Sequence, residues 1–302
     1  MEMENVYRTY KPLLFAVAYR MLGTATDAED LVQELFASLQ ESDLDRIGHP
    51  KAYLVKMAVN RCLNFLKSAR RTREVYTGPW LPEPLLTLPA DQDPAERVVR
   101  EEAVSYAFLV LLERLTPMER AVFVLREALG YAYGEVAEML NKTEANCRKI
   151  YSRAKLKIRP DEEALPERPG DTEHLVQSFL SGVRTGDFAE FVRLLTEDAV
   201  LISDGGGKRR AALKPICGRQ RIYAFFTGIV RKGSLRGVWL PTVINGQQGL
   251  VLVQERRPVK VVCFAVDRER QQAGSVFMVL NPDKLRHISS ELNRHKSAPG
   301  FV

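Results

Sequence analysis

Apolar residues recur at helical spacing through most of the first 160 positions and at strand spacing over much of the last hundred. Residues 4–22 put Val6, Tyr10, Leu13, Leu14, Val17 and Leu22 on one side, which predicts an amphipathic helix ended by Gly23. Thr26, with Glu29 three residues on, predicts a capping box for a second helix whose Leu31, Leu35, Phe36 and Leu39 point inward. Asp27, Asp30, Gln33 and Glu34 are left outside as a dense acidic cluster. A loop is expected at 41–49, and Pro50 suits the first turn of a long helix reaching about residue 73. The apolar stripe of that helix is expected to be Tyr53, Leu54, Met57, Ala58, Cys62, Phe65 and Leu66. Residues 75–95 carry Pro79, Pro82, Pro84, Pro89 and Pro94, a linker stiffened toward polyproline II. Trp80, Leu81, Leu85 and Leu86 are too apolar for a plain spacer and are expected to dock on another surface.

A helix is predicted at 96–115, and another opens at Pro117 and closes at Gly130. Between 133 and 158 two more follow with a tight turn between them. Val136, Ala137 and Leu140 form the buried side of the first, and Asn141 tolerates the left-handed turn after it. Thr143 caps the second, whose Cys147, Ile150, Tyr151, Ala154 and Ile158 share one face. The opposite side carries Ala145, Arg148, Lys149, Ser152 and Arg153. A short helix, a tight turn and a basic helix predict a helix-turn-helix, whose second helix enters the major groove. Ala145 and Ser152 are small enough to let the backbone approach base edges, with Arg and Lys beside them for guanine or phosphate. A solvated basic helix at the end of a bundle is the plainer reading of the same residues.

A second linker is expected at 160–171. Helices at 172–185, 187–195 and 218–231 then mix with strands at 199–203, 235–243, 249–255, 260–266 and 275–280. That order predicts an α+β domain with an antiparallel sheet.

The net charge of +6 is mild for 302 residues, but its distribution is not. Residues 27–45 carry seven acids and no base, whereas 61–73 carry Arg61, Lys67, Arg70, Arg71 and Arg73 and no acid. Such segregation predicts different partners for different faces. The acidic start has no apolar core of a secretory signal, and no apolar run approaches a membrane span, so a cytoplasmic protein is expected. Cys62, Cys147, Cys217 and Cys263 lie far apart, without zinc spacing or a disulfide framework, and are expected to be small core residues. No metal or cofactor is expected.

The order of these parts resembles a known family. LGTATDAEDLVQELF (22–36), the basic helix end at 67–73 and LTPMERAVFVLREALGYAYGEVAEMLNKTEANCRKIYSRAK (115–155) resemble regions two and four of bacterial extracytoplasmic-function sigma factors. GPWLPEP (78–84), DGGGK (204–208), INGQQG (244–249) and NPDKLRHI (281–288) resemble the subgroup of sigma-J type, which fuses a SnoaL-like domain to the sigma core. The resemblance implies five segments: region two at 1–74, a Pro-rich linker at 75–95, region four at 96–159, a linker at 160–171 and a SnoaL-like domain at 172–302. Two all-α domains would precede an α+β cone-shaped barrel. It implies that Asp30, Gln33 and Glu34 bind core RNA polymerase. Asn60, Arg61, Lys67, Arg70 and Arg71 would meet the minus-10 element. Ala145, Asn146, Arg148, Lys149, Ser152 and Arg153 would read the minus-35 element. Asn141 stands where the family has a turn glycine, and Lys142 where an apolar residue is common.

The fused domain is expected to regulate the sigma core in place of a separate anti-sigma protein, through Trp80 and Leu81 of the linker and Asp204, Gly205, Gly206, Gly207 and Lys208. Glycine at 205–207 permits close approach of another segment, and DGGGK lacks the spacing of a phosphate loop. A cavity in the barrel could take a small molecule. Relatives of the barrel include enzymes, for which Asp204 and His287 are candidate acid/base groups. Asp204 as a turn residue and His287 as a surface histidine is the favoured reading, so no catalysis is expected. The alternatives are a stand-alone ligand-responsive transcription factor, which the acidic helix disfavours, and a DNA-tethered enzyme.

Overall fold

In the computed structural model the described residues are 3–39, 48–74, 76–86, 105–158, 172–267 and 272–295. Most of the expected loop at 41–49, the start of the helix expected from 96 and the linker at 160–171 lie outside them. The chain forms two compact units. One comprises Met1–Val75, Pro89–Ala103 and Leu109–Glu162; the other comprises Tyr76–Leu88, Val104–Phe108 and Glu163–Val302.

The first unit is helical. It opens with α1 (Met3–Leu22), α2 (Ala25–Ala37) and α3 (Pro50–Glu74). Gly23, at φ 73°, ends α1 in the left-handed conformation that glycine adopts without steric cost. The cap of α2 is Thr24, not Thr26, and there is no capping box; the Thr24 hydroxyl instead meets the Asp27 carboxylate. The buried face of α3 is also rotated from the expected one. Leu54, Val55, Ala58, Val59, Cys62, Leu63 and Leu66 are buried, while Tyr53 and Phe65 are each 38% exposed. Two adjacent periodic sets fit this sequence, and packing against α1 and α2 selects the more aliphatic one.

Four further helices follow: α4 (Tyr106–Leu112), whose residues up to Phe108 belong to the second unit, α5 (Pro117–Phe123), α6 (Tyr133–Leu140) and α7 (Glu144–Ile158). A reciprocal capping box of Thr116 and Glu119 starts α5, which runs into a π-helical turn at Val124–Ala128. Arg120 is buried, and its guanidinium donates to the Met21 carbonyl (2.7 Å) and to Glu113 (2.6 Å). Asn141 takes φ 52° between α6 and α7, the left-handed turn its side chain tolerates.

The second unit is α+β. Helices α8 (Glu173–Thr185), α9 (Ala189–Arg193) and α10 (Arg219–Arg231) accompany β1 (Leu195–Asp204), β2 (Ile216–Cys217), β3 (Val238–Ile244), β4 (Gln247–Gln254), β5 (Arg257–Asp267) and β6 (Gln272–Val279). A 3-10 turn (Pro282–Leu285) and α11 (Arg286–His295) follow. The sheet order is β2-β1-β6-β5-β4-β3. It is mixed, not antiparallel as expected: β3 to β6 form an antiparallel meander whose last strand, β6, lies beside β1 and runs parallel to it.

One face of the sheet packs on the helices through an aromatic core. Phe179 lies 5.2–5.6 Å from Phe188, Phe191, Phe226 and Trp239 in edge-on contacts, each worth about 0.5–1.5 kcal/mol beyond the area buried. By strand alternation Val251, Val261, Cys263, Phe277 and Val279 face the other way, and they too are buried. The Tyr106 ring lies 5.6 Å from Phe277, and its hydroxyl donates to the Pro82 carbonyl (2.7 Å). Leu86 bridges to Ile244, and Leu85 exchanges hydrogen bonds with Asn245 (2.8 and 3.0 Å). Residues 76–86 are thus a strap laid on the α+β unit rather than a spacer.

Candidate nucleic-acid interface and the linker anchor

Three surfaces in the helical unit are built from local periodicity. On α2, Asp30, Gln33 and Glu34 are all exposed, because Leu31, Val32, Leu35 and Phe36 take the inner face. On α3 the rotation described above leaves Tyr53, Lys56, Asn64, Phe65 and Lys67 exposed, with Asn60 and Arg61 half-buried. Two aromatic rings among Lys and Asn suit an unstacked base and its phosphate. Arg61 is held back, since its guanidinium donates to the Ser38 hydroxyl (2.6 Å) at the end of α2. The side chains of Arg70 and Arg71 lie outside the described residues. Tyr53 and Lys56 also line a cleft of about 620 Å³ with His49 and with Tyr131, Glu135 and Glu138 near the start of the helix-turn-helix.

On α7, Ala145, Asn146, Arg148, Lys149, Ser152 and Arg153 are all exposed. The Asn146 amide donates to the Thr143 hydroxyl (3.2 Å), the expected cap. Cys147, Ile150, Ala154 and Ile158 are buried, and Tyr151 is half-buried between Phe123 and Tyr133. Burial, and then hydrogen bonding to Glu127, raises the Tyr151 phenol well above its ordinary range. Arg148 pairs with Glu144 and stacks over the Tyr133 ring at 5.1 Å. Its guanidinium is thus held by two neighbours on the protein itself.

The strap ends in a different kind of site. Asp204 closes β1, is fully buried and is not a turn residue. One carboxylate oxygen accepts from the Tyr76 hydroxyl (2.6 Å) and the Gly206 amide (3.0 Å). The other accepts from the Leu81 amide (2.9 Å) and the Lys284 ammonium (2.7 Å). Lys284 also donates to the Leu81 carbonyl and lies 3.9 Å from the centre of the Trp80 ring. Asn281 donates to the Tyr76 oxygen (2.8 Å). Both charges are thus paired and hydrogen-bonded, the condition under which buried ions are tolerated. Burial, and then hydrogen bonding to Asp204, raises the Tyr76 phenol well above 10.

Glycine is required beside the anchor. Gly206 takes φ 59°, and a Cβ there would lie 2.3 Å from the Asn281 amide nitrogen. Gly207, at φ 70°, faces Thr77 at 3.2 Å. The exposed Lys208 pairs with Asp283, and that hydrogen bond holds the Asp283 carboxyl below its usual range.

Asp204, a candidate acid or base by sequence, has both oxygens engaged. His287 is half-buried on α11. Tyr76, Asn281 and Lys284 are absent from the expected set; the signal for them was an asparagine and a lysine within NPDKLRHI and a tyrosine just before GPWLPEP, 205 residues before that asparagine. The exposed aromatics of α3, Tyr53 and Phe65, are not legible in the sequence because their spacing also fits an apolar stripe. Cys217 is exposed, contrary to expectation, while Cys62, Cys147 and Cys263 are buried. Burial pushes the Cys62 thiol up to about 12. Among the described residues no cluster of His, Cys, Asp or Glu could hold a metal, and no helix is long and apolar enough to cross a membrane.

Residues 6–72 match Sigma-70 region 2, and residues 105–158 match Sigma-70, region 4. The chain is 32% identical to the ECF RNA polymerase sigma factor SigJ of Mycobacterium tuberculosis, over 95% of this chain and 93% of that protein. It is 31% identical to the probable ECF RNA polymerase sigma factor SigI of the same species, over 63% of this chain and 65% of that one. The crystal structure of Mycobacterium tuberculosis SigJ matches with a TM-score of 0.74 at 29% identity, covering 95% of this chain and 99% of that one.

Proposed function

The chain belongs to the extracytoplasmic-function RNA polymerase sigma factors, which bind core RNA polymerase and promoter DNA to direct transcription initiation, and from that premise we propose how its surfaces divide the work. Asp30, Gln33 and Glu34 on α2 hold core polymerase. Asn60, Arg61, Lys67, Arg70 and Arg71 on α3 engage the minus-10 element, joined by Tyr53 and Phe65 as stacking platforms. Ala145, Asn146, Arg148, Lys149, Ser152 and Arg153 on α7 read the minus-35 element in the major groove. The protein acts in the cytoplasm beside the polymerase and is not an enzyme.

The α+β unit controls the sigma core through the strap, making a separate anti-sigma protein unnecessary. Trp80 and Leu81 are the linker contacts, and Asp204 with Gly205, Gly206, Gly207 and Lys208 forms their seat. One observation supports this most: the buried Asp204–Lys284 pair closes on both the amide and the carbonyl of Leu81. A linker between two DNA-binding elements fixed in this way cannot change length freely. A small molecule acting on the barrel would bias the same strap.

The test is run-off transcription by core enzyme with the full-length protein and with Lys284→Met. Output is expected to change at least severalfold, while binding of a minus-35 duplex by α7 stays the same. Equal transcription by the two proteins would sink the regulatory reading.

A further inference from the structure

Residues 205–254 contain nine Lys and Arg and not one Asp or Glu. At the chain's average of 38 acids in 302 residues, a stretch this long would hold about six. The fold gathers part of this charge at one end of the sheet. Helix α10 ends at Arg231, and its last carbonyls are closed by the turn through Lys232 and Ser234. The chain then enters β3, where Val238 pairs with Val253. The Arg236 carbonyl accepts from the Gln254 side chain, and Gln254 pairs with Arg257 across the β4–β5 hairpin. Glu255 and Arg256 form that hairpin at φ 48° and 64°. Arg231, Lys232, Arg236, Arg256 and Arg257 therefore converge from three segments, and all are exposed.

Among the described residues none of these five pairs with a carboxylate, and Glu255 is the single acid in the hairpin beside them. Arg231 and Lys232 suit the negative end of α10. Arg236, Arg256 and Arg257 lie on no helix, so the dipole does not account for them. Behind them Lys260 is buried, with its ammonium on the Ser234 carbonyl (2.7 Å). Burial first, and Arg209 second, hold the Lys260 pKa down, which places Arg209 within electrostatic reach of the same end. So many like charges repel one another, and a polyanion would relieve that repulsion.

We propose that this end of the sheet, presenting Arg231, Lys232, Arg236, Arg256 and Arg257, grips the phosphate backbone of duplex DNA. It is a contact independent of base sequence, additional to those of α3 and α7. Duplex DNA is chosen over an acidic protein because the family already holds the chain on promoter DNA, where an added backbone contact needs no new partner.

The test replaces Arg231, Arg236, Arg256 and Arg257 by Gln in the full-length protein. Binding to a random-sequence duplex is measured by fluorescence anisotropy over a salt series. The slope of log affinity against log salt should flatten by about 0.9 for each phosphate no longer neutralised, hence by about two to four. Arg184→Gln with Arg193→Gln, elsewhere on the same unit, should leave the slope unchanged. An unaltered slope in the fourfold variant overturns the proposal, and so does an equal loss in the control pair, which would report net charge alone. Weaker binding to core polymerase with DNA affinity intact overturns it in favour of an acidic protein surface. Promoter choice in run-off transcription depends on α7, so the roles of α3 and α7 stand or fall separately.

Discussion

Two cation–anion pairs of the molecule sit in opposite environments. Arg148 and Glu144 on α7 lie in water, with side chains 59% and 47% exposed. Lys284 and Asp204 at the strap are 7% and 0% exposed. An exposed pair of this kind contributes about 0–1 kcal/mol, so it can be exchanged for a base or phosphate at little cost. A buried pair with every donor placed resists separation, because either ion left alone keeps its desolvation penalty. The first suits a reading surface that must let go, the second a fastening that must not.

The sharpest way to break this contrast is at the buried pair. Lys284→Met leaves Asp204 buried without its cation and should cost about 3–5 kcal/mol in urea unfolding. Adding Asp204→Leu should recover most of that, since no unpaired charge remains. A loss below about 1 kcal/mol in the single variant would mean that water reaches the site.

On the exposed side, Arg153→Ala should cost about 1–3 kcal/mol in discrimination at one position of the minus-35 element, read by competition with substituted duplexes. Its unfolding midpoint should barely move. Lys67→Ala should instead weaken binding to every promoter alike.

Tyr76→Phe removes one donor from Asp204 and should cost about 1–1.5 kcal/mol. Because the Tyr76 phenol is raised in the folded state, its contribution is complete below its ordinary pKa of 10.0 and declines as the pH rises past that value, where the unfolded phenol ionises first. The wild type should therefore lose stability above pH 10 more steeply than Tyr76→Phe; parallel curves would remove Tyr76 from the anchor. The smallest effect is expected from Glu144→Ala, within about 0.5 kcal/mol by urea unfolding.

Helices α3 and α7 show how far pattern reading goes. The apolar set on α7, Cys147, Ile150, Tyr151, Ala154 and Ile158, follows one helical stripe, so one face is defined and its complement is the exposed basic surface. On α3 the residues Leu54, Val55, Ala58, Val59, Cys62, Leu63 and Leu66 compete with Tyr53, Met57 and Phe65 for the inner side. Periodicity ranks the two sets nearly equally, and contact with α1 and α2 decides between them.

The sequence by itself determined most of the succession of helices and strands, though not β2 or α11, together with the left-handed turn at Asn141, the acidic face of α2 and the basic face of α7. Each depends on residues within a few positions of one another, where backbone geometry alone relates them. Only the tertiary structure decided that Tyr76, Leu81, Asp204, Asn281 and Lys284 meet, that β1 lies parallel to β6, and that cations from the end of α10, the turn before β3 and the β4–β5 hairpin share one end of the sheet. Those groupings join segments up to 205 residues apart. No local periodicity encodes them; the requirement to pair every buried charge and cover both faces of the sheet does.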